Sequence, residues 1–102
     1  AAEIGQAGEK VVVEWLMKNG YTINQWNTQA PGSTDIKASS SAATLFVQVK
    51  AAVDPGTPAS LSQEEAQAIK GRAERDGAQA WEARVRLSAN LAVLGDIAWR
   101  RL

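Results

Sequence analysis

Thr34-Asp35-Ile36-Lys37-Ala38, followed across the polar Ser39–Ala42 connection by Thr44-Leu45-Phe46-Val47-Gln48-Val49-Lys50-Ala51, is the stretch on which the fold turns. Branched and aromatic residues dominate its second half, which predicts a strand over 44–51, and the shorter apolar run predicts a strand over 34–38. A short polar link between two such runs predicts an antiparallel pair. Because side chains alternate along a strand, Gln48 and Lys50 share one face while Val47 and Val49 turn the other way, toward a core.

Toward the N-terminus, Tyr21 to Asn27 reads as a further strand and Pro31-Gly32 as a turn, so the three strands form an antiparallel meander. Before them, Ile4, Val11, Val12, Trp15 and Leu16 recur at helical spacing over Glu3 to Lys18, and Asn19-Gly20 supplies a stop. Toward the C-terminus, Asp54 to Ser60 carries Pro55-Gly56 and Pro58, which predicts a loop able to border a cleft. Ser62 and Glu65 have the spacing of a capping box, opening a helix over Gln63 to Asp76 that ends at Gly77. Ala80 to Leu87 alternates Trp81, Ala83, Val85 and Leu87 against Glu82, Arg84 and Arg86, the pattern of a strand with one wet face. A turn at Gly95-Asp96 precedes a last strand over Ile97 to Leu102. The order is helix, three strands, helix, strand, strand, an α/β (α+β) arrangement, with residues 1–102 forming a single domain.

The 102 residues are 45% hydrophobic and 22% charged, the balance of a globular protein. No apolar run approaches the roughly 20 residues of a membrane span, and no leader is apparent, which predicts a soluble, intracellular, cytoplasmic protein without membrane contact. Cysteine and histidine are both absent. Disulfides, thiolate and imidazole metal sites, cysteine nucleophiles and histidine bases are therefore excluded, leaving carboxylates, lysine and a metal with its water. Net charge is zero and the pI is about 6.5, so any nucleic-acid surface has to come from local clustering of cations.

Within that restricted chemistry, Asp35, Gln48 and Lys50 on neighbouring strands, with Glu9 on the first helix, form a minimal set for holding a divalent cation against a phosphodiester. Magnesium takes oxygen ligands and keeps several waters, so Asp35, Gln48 and the carbonyl of Val49 suffice as protein donors, with Glu9 a further one. Lys50 is placed to support charge at phosphorus or to orient water. Each residue also has a plainer reading: Asp35 as a turn acid, Gln48 and Lys50 as the solvated face of a sheet, and Glu9 as a helix-rim residue. Arg84 and Arg86, beside Glu82, read as a solvated, salt-bridged face, and the four tryptophans as core or subunit-contact residues.

Gly8-Glu9, Trp15-Leu16, Gly20-Tyr21, Asn27, Gly32-x-x-Asp35-Ile36 and Phe46-Val47-Gln48-Val49-Lys50 resemble the PD-(D/E)XK nuclease superfamily, most of all its small Holliday junction resolvase-like and restriction-endonuclease-like domains. The resemblance spans nearly the whole chain and implies a restriction-endonuclease-like core, with a central mixed sheet flanked by helices in the order αβββαβ and a C-terminal strand added. It implies Asp35 as the metal-binding aspartate, Gln48 at the (D/E) position, Lys50 as the motif lysine and Glu9 as the helix-borne acid. It further implies Mg2+ or Mn2+ as cofactor with no small organic cofactor, DNA as partner with branched, Holliday junction-like forms among the substrates, and a homodimer. Lys37, Lys70 and Arg72 are the candidate DNA contacts. Thr34 stands where the motif has proline, and Gln48 where it has an acid. The second departure removes a negative charge, and it leaves a nucleic-acid-binding or assembly module with a silenced site as the alternative.

Overall fold

The computed structural model describes residues 2–26 and 34–102. Its elements are α1 (Ala2–Lys18), β1 (Thr22–Trp26), β2 (Ile36–Ser39), β3 (Thr44–Val53), α2 (Gln63–Arg75), β4 (Gln79–Leu87) and β5 (Ala98–Arg101). The Pro31-Gly32 turn, and with it Asn27, lies outside the described residues. The strands lie in chain order, β1-β2-β3-β4-β5, in one mixed sheet. All neighbours are antiparallel except β3 and β4, whose parallel pairing requires the crossover that α2 provides.

Both helices end by the same device. Gly20 and Gly77 adopt the left-handed conformation, with φ of 87° and 67°. The following amides, of Tyr21 and Ala78, return to the carbonyls of Leu16 and Ala73 at 3.0 and 2.8 Å. A residue with a Cβ is strained at such a position, so the glycines fix where the chain turns back toward the sheet. The start of α2 is equally explicit. Ser62 Oγ accepts the Glu65 amide at 3.1 Å, and Glu65 Oε1 accepts the Ser62 amide at 3.0 Å.

Alternation along β3 separates two cores. Val12, Val13 and Leu16 of α1 pack with Ile36, Ala38, Leu45, Val47, Ala83, Val85 and Leu87 on one face. On the other, Ile69 and Ala73 of α2 meet Phe46, Leu61 and Ala80. α1 approaches β3 so closely at Gly8 that a Cβ there would stand 2.6 Å from that of Ala51. At the far side of the first core Trp99 packs between Trp15, with centroids 5.1 Å apart, and Trp81, at 6.2 Å edge to face. No helix among the described residues is long and apolar enough to cross a membrane.

The sheet departs from the sequence reading in three places. β2 begins at Ile36, because Asp35 sits in a bend and turns its side chain to β3. β3 runs on to Val53, because β4 offers a partner as far as Leu87. The wet face expected of β4 is the largest correction. Glu82 is completely buried, accepting the Leu61 amide at 2.6 Å and Arg100 Nη2 at 3.0 Å. The loop before α2 and strand β5 close over a position that strand periodicity assigns to solvent.

Candidate functional site

The β2–β3 ladder ends at Ile36↔Val47, so Gln48 to Val53 of β3 continue past β2 with one side unpaired by any strand. An exposed row of amides and carbonyls needs other partners. Asp35 provides the first, its Oδ2 accepting the Val49 amide at 2.9 Å. The amide and carbonyl of a strand residue point to the same side, so the Val49 carbonyl also opens toward Asp35. Thr34 holds the base of this bend. It is buried, and its hydroxyl accepts Arg72 Nε at 3.0 Å, tying the approach to Asp35 onto α2.

Glu9 arrives from the opposite face on α1, made possible by the close contact of Gly8 with Val49 and Ala51. Its Oε1 accepts the indole Nε1 of Trp26 at 2.9 Å. Burial pushes the Glu9 carboxyl above its ordinary range; the Trp26 bond opposes this, and the charge of Asp35 adds to it. Asp35 is also raised, first by burial, against the lowering effects of the Val49 amide, Lys50 and Arg72. Two carboxyls that each lose solvent, one of them raised further by the other's charge, favour a proton or a cation between them.

Gln48 is on the α2 side of the sheet, and its Oε1 is buried without a hydrogen-bond partner. Next to it on that face, Lys50 Nζ donates to Glu65 Oε2 at 3.1 Å. Glu65 is held below the ordinary carboxylate range, chiefly by the Ser62 amide and then by Lys50. The open end of β3 thus gathers Glu9, Asp35, Gln48, Val49 and Lys50. Of the three expected DNA contacts, Arg72 is near Asp35 through Thr34, Lys70 is exposed on α2, and Lys37 lies over the Phe46 ring, 4.6 Å from its centroid.

Among the described residues no three His, Cys, Asp or Glu side chains form a group able to hold a metal ion. The candidate donors expected from the sequence are two carboxylates, one amide oxygen and one carbonyl, all hard oxygens. Such a set fits Mg2+ or Mn2+, which take few protein ligands and retain water. The unpartnered Gln48 oxygen and the two raised carboxyls are the features that a cation would satisfy. Sequence reasoning missed Trp26 as partner of Glu9, Glu65 as partner of Lys50, and the Thr34–Arg72 bond. Glu65 alone left a signal, since its capping-box position puts it at the first turn of α2; its reach to Lys50 depends on how α2 crosses the sheet.

Residues 2–94 match the profile of a family described as Domain of unknown function (DUF8840). No curated protein matches the chain. Among solved structures the fold is similar to that of Archaeoglobus fulgidus Hjc, a Holliday junction resolvase from an archaeal hyperthermophile. The TM-score is 0.68 at 24% identity, over 96% of this chain and 70% of that one. The α+β fold, a mixed five-stranded sheet with a helix on each face, is therefore shared with a resolvase.

Proposed function

Since the chain belongs to the DUF8840 family, whose description assigns no activity, we propose from the site itself that it is a metal-dependent DNA endonuclease of the PD-(D/E)XK type. The observation that carries this reading is the Asp35–Val49 bond, which ties the aspartate to the strand bearing Gln48 and Lys50 just where β2 stops. In this reading Asp35, Glu9, Gln48 and the Val49 carbonyl hold Mg2+ or Mn2+. The ion supplies neutralisation of phosphate charge and acidification of water. Asp35 is positioned by its amide bond, so its second oxygen, Oδ1, remains for the ion. Glu9 is kept in place by Trp26. Lys50 leaves Glu65 for the phosphate when a substrate strand enters, exchanging one carboxylate partner for another anion, and there stabilises charge developing at phosphorus.

The fold shared with a resolvase supports branched DNA as the first substrate to try, and cutting two strands symmetrically calls for a homodimer. A second reading, a silenced binding or assembly module, is favoured by the neutral Gln48 and by the Lys50–Glu65 pair. The deciding experiment is cleavage of plasmid, linear, single-stranded and four-way-junction DNA with Mg2+, Mn2+ or chelator, for the wild type, Asp35→Ala and Lys50→Ala. Metal-dependent cutting abolished by both substitutions is expected. No cutting together with no metal-dependent rise in melting temperature would leave the silenced module.

A further inference from the structure

We propose that Arg84 and Arg100, aligned by the buried carboxylate of Glu82, form a phosphate-binding step that receives the DNA backbone next to the candidate site. This rests on the reading of the chain as acting on DNA. Three observations carry it. Lys50 and Arg84 are register partners in the parallel β3–β4 ladder, and Glu82 and Arg100 are partners across β4–β5. Their side chains share the α2 side of the sheet, so cations from three adjacent strands continue outward from Lys50. Arg84 faces Ala98 on β5, and Arg100 lies two residues beyond it, so the row steps about 10 Å across the three strands and about 7 Å along β5, enough to meet more than one phosphate of a strand.

The second observation is how the two guanidinium groups are held. Glu82 is completely buried and receives Nε and Nη2 of Arg100 at 3.2 and 3.0 Å, while Arg84 Nε approaches it at 3.4 Å. Its remaining bond is to the Leu61 amide, which fixes the carboxylate from the backbone side. One buried anion therefore holds Arg100 by two hydrogen bonds and Arg84 by charge, leaving a net positive charge on the surface. The third is exposure. The Arg84 and Arg100 side chains are 39% and 50% accessible, so both present guanidinium surface to solvent; Arg100 is hydrogen-bonded to Glu82, whereas Arg84 is held by the ion pair alone, its buried Nε having no hydrogen-bond partner. Planar forks fixed in this way suit the oxygens of a phosphodiester. Arg86, next on the strand, is bonded instead to Asp54 and is not part of the step.

The role makes a prediction opposite in sign to bulk electrostatics. Glu82→Gln removes a negative charge, which by itself strengthens DNA binding; if Glu82 aligns the arginines, the variant binds more weakly. Binding of labelled duplex and four-way-junction DNA is measured by anisotropy in chelator across a salt series, for wild type, Glu82→Gln, Arg84→Ala and Arg101→Ala. Arg84→Ala preserves the Glu82–Arg100 pair. Arg101→Ala makes the same charge change on the opposite face and serves as the control. The expected results are weaker binding by Glu82→Gln and a salt slope lowered by about 0.9 in Arg84→Ala but not in Arg101→Ala. Circular dichroism establishes which variants are folded. If Glu82→Gln does not fold, the comparison of Arg84→Ala with Arg101→Ala decides. A folded Glu82→Gln that binds as tightly as wild type or tighter, equal slopes for the two arginine variants, or a wild type that does not bind DNA would each overturn the proposal. DNA binding that depends on Arg84 in a chain that never cuts would uphold the step and defeat the hydrolytic reading; cutting abolished by Asp35→Ala, with Arg84→Ala no different from the control, would do the reverse.

Discussion

Gly8→Ala tests whether the closeness of α1 to β3 is what delivers Glu9. An added Cβ would lie 2.6 Å from Ala51 Cβ, while carbon atoms pack best at about 3.5–4.0 Å, so the elements have to separate by about 1 Å. Neither atom can rotate away, because both are fixed to the backbone. Overpacking of this kind costs about 1–3 kcal/mol, and the better helix propensity of alanine returns about 1 kcal/mol. With no torsion to relieve the contact, the upper part of the range applies, for a net loss of about 1–2 kcal/mol and a melting temperature lower by about 5–10 °C. Gly5, on the same helix, has nothing within 4 Å of the corresponding position, so Gly5→Ala should stabilise by up to about 1 kcal/mol. Urea denaturation of the two variants supplies the comparison. Ala51→Gly in the Gly8→Ala background should recover part of the loss, giving a coupling energy of about 1 kcal/mol in a double-mutant cycle. Glu9 moves with the helix, so any metal-dependent rise in melting temperature should shrink in Gly8→Ala more than its lowered stability explains. A Gly8→Ala protein as stable as Gly5→Ala, or one unaffected by Ala51→Gly, would refute the packing argument.

Asp35→Asn keeps an acceptor for the Val49 amide and removes a carboxyl whose affinity for protons is raised by folding. Such a group costs stability when ionised, so the variant should be the more stable protein at pH 7, with the advantage disappearing below the ordinary value of 3.8, as measured by denaturation across pH. Glu82 behaves oppositely. Burial raises its pKa, but Arg100 and the Leu61 amide outweigh burial, so its stabilising contribution is present above 4.5 and is lost as pH falls through its lower folded-state value. The stability difference between wild type and Glu82→Gln should accordingly narrow in acid. Ser62→Ala removes one half of the capping box and should cost about 1 kcal/mol in urea denaturation.

Local signals in the sequence carried most of the fold. Gly20 and Gly77, the Ser62–Glu65 spacing and the alternation of β3 each act within a few residues; the helix ends and the start of β3 appear where those signals put them, while the far end of β3 was set by its partner β4. The nearness of Asp35 to the Gln48–Lys50 segment was legible because a short connection joins the two strands, although the strand expected from Thr34 starts only at Ile36 and Asp35 lies in the bend before it. Glu82 was misread because the same alternation says nothing about what lands on a face; Leu61 is 21 residues away along the chain and Arg100 is 18. Trp26 and Arg72 escaped for the same reason, being joined to Glu9 and Thr34 over 17 and 38 residues. Periodicity gives the side of an element, whereas these bonds depend on how elements cross.

The unequal placement of the four tryptophans gives the protein two separate optical signals. Trp15, Trp81 and Trp99 lie close enough to exchange excitation, so their emission and near-ultraviolet dichroism report on the junction of α1 with β4 and β5. Trp26 is 40% exposed, and its indole is bonded to Glu9. A cation drawing that carboxylate away alters the polarity around this one fluorophore and leaves the coupled three unchanged. Occupancy at the open end of β3 and integrity of the core beneath α1 can thus be read in a single cuvette without a label.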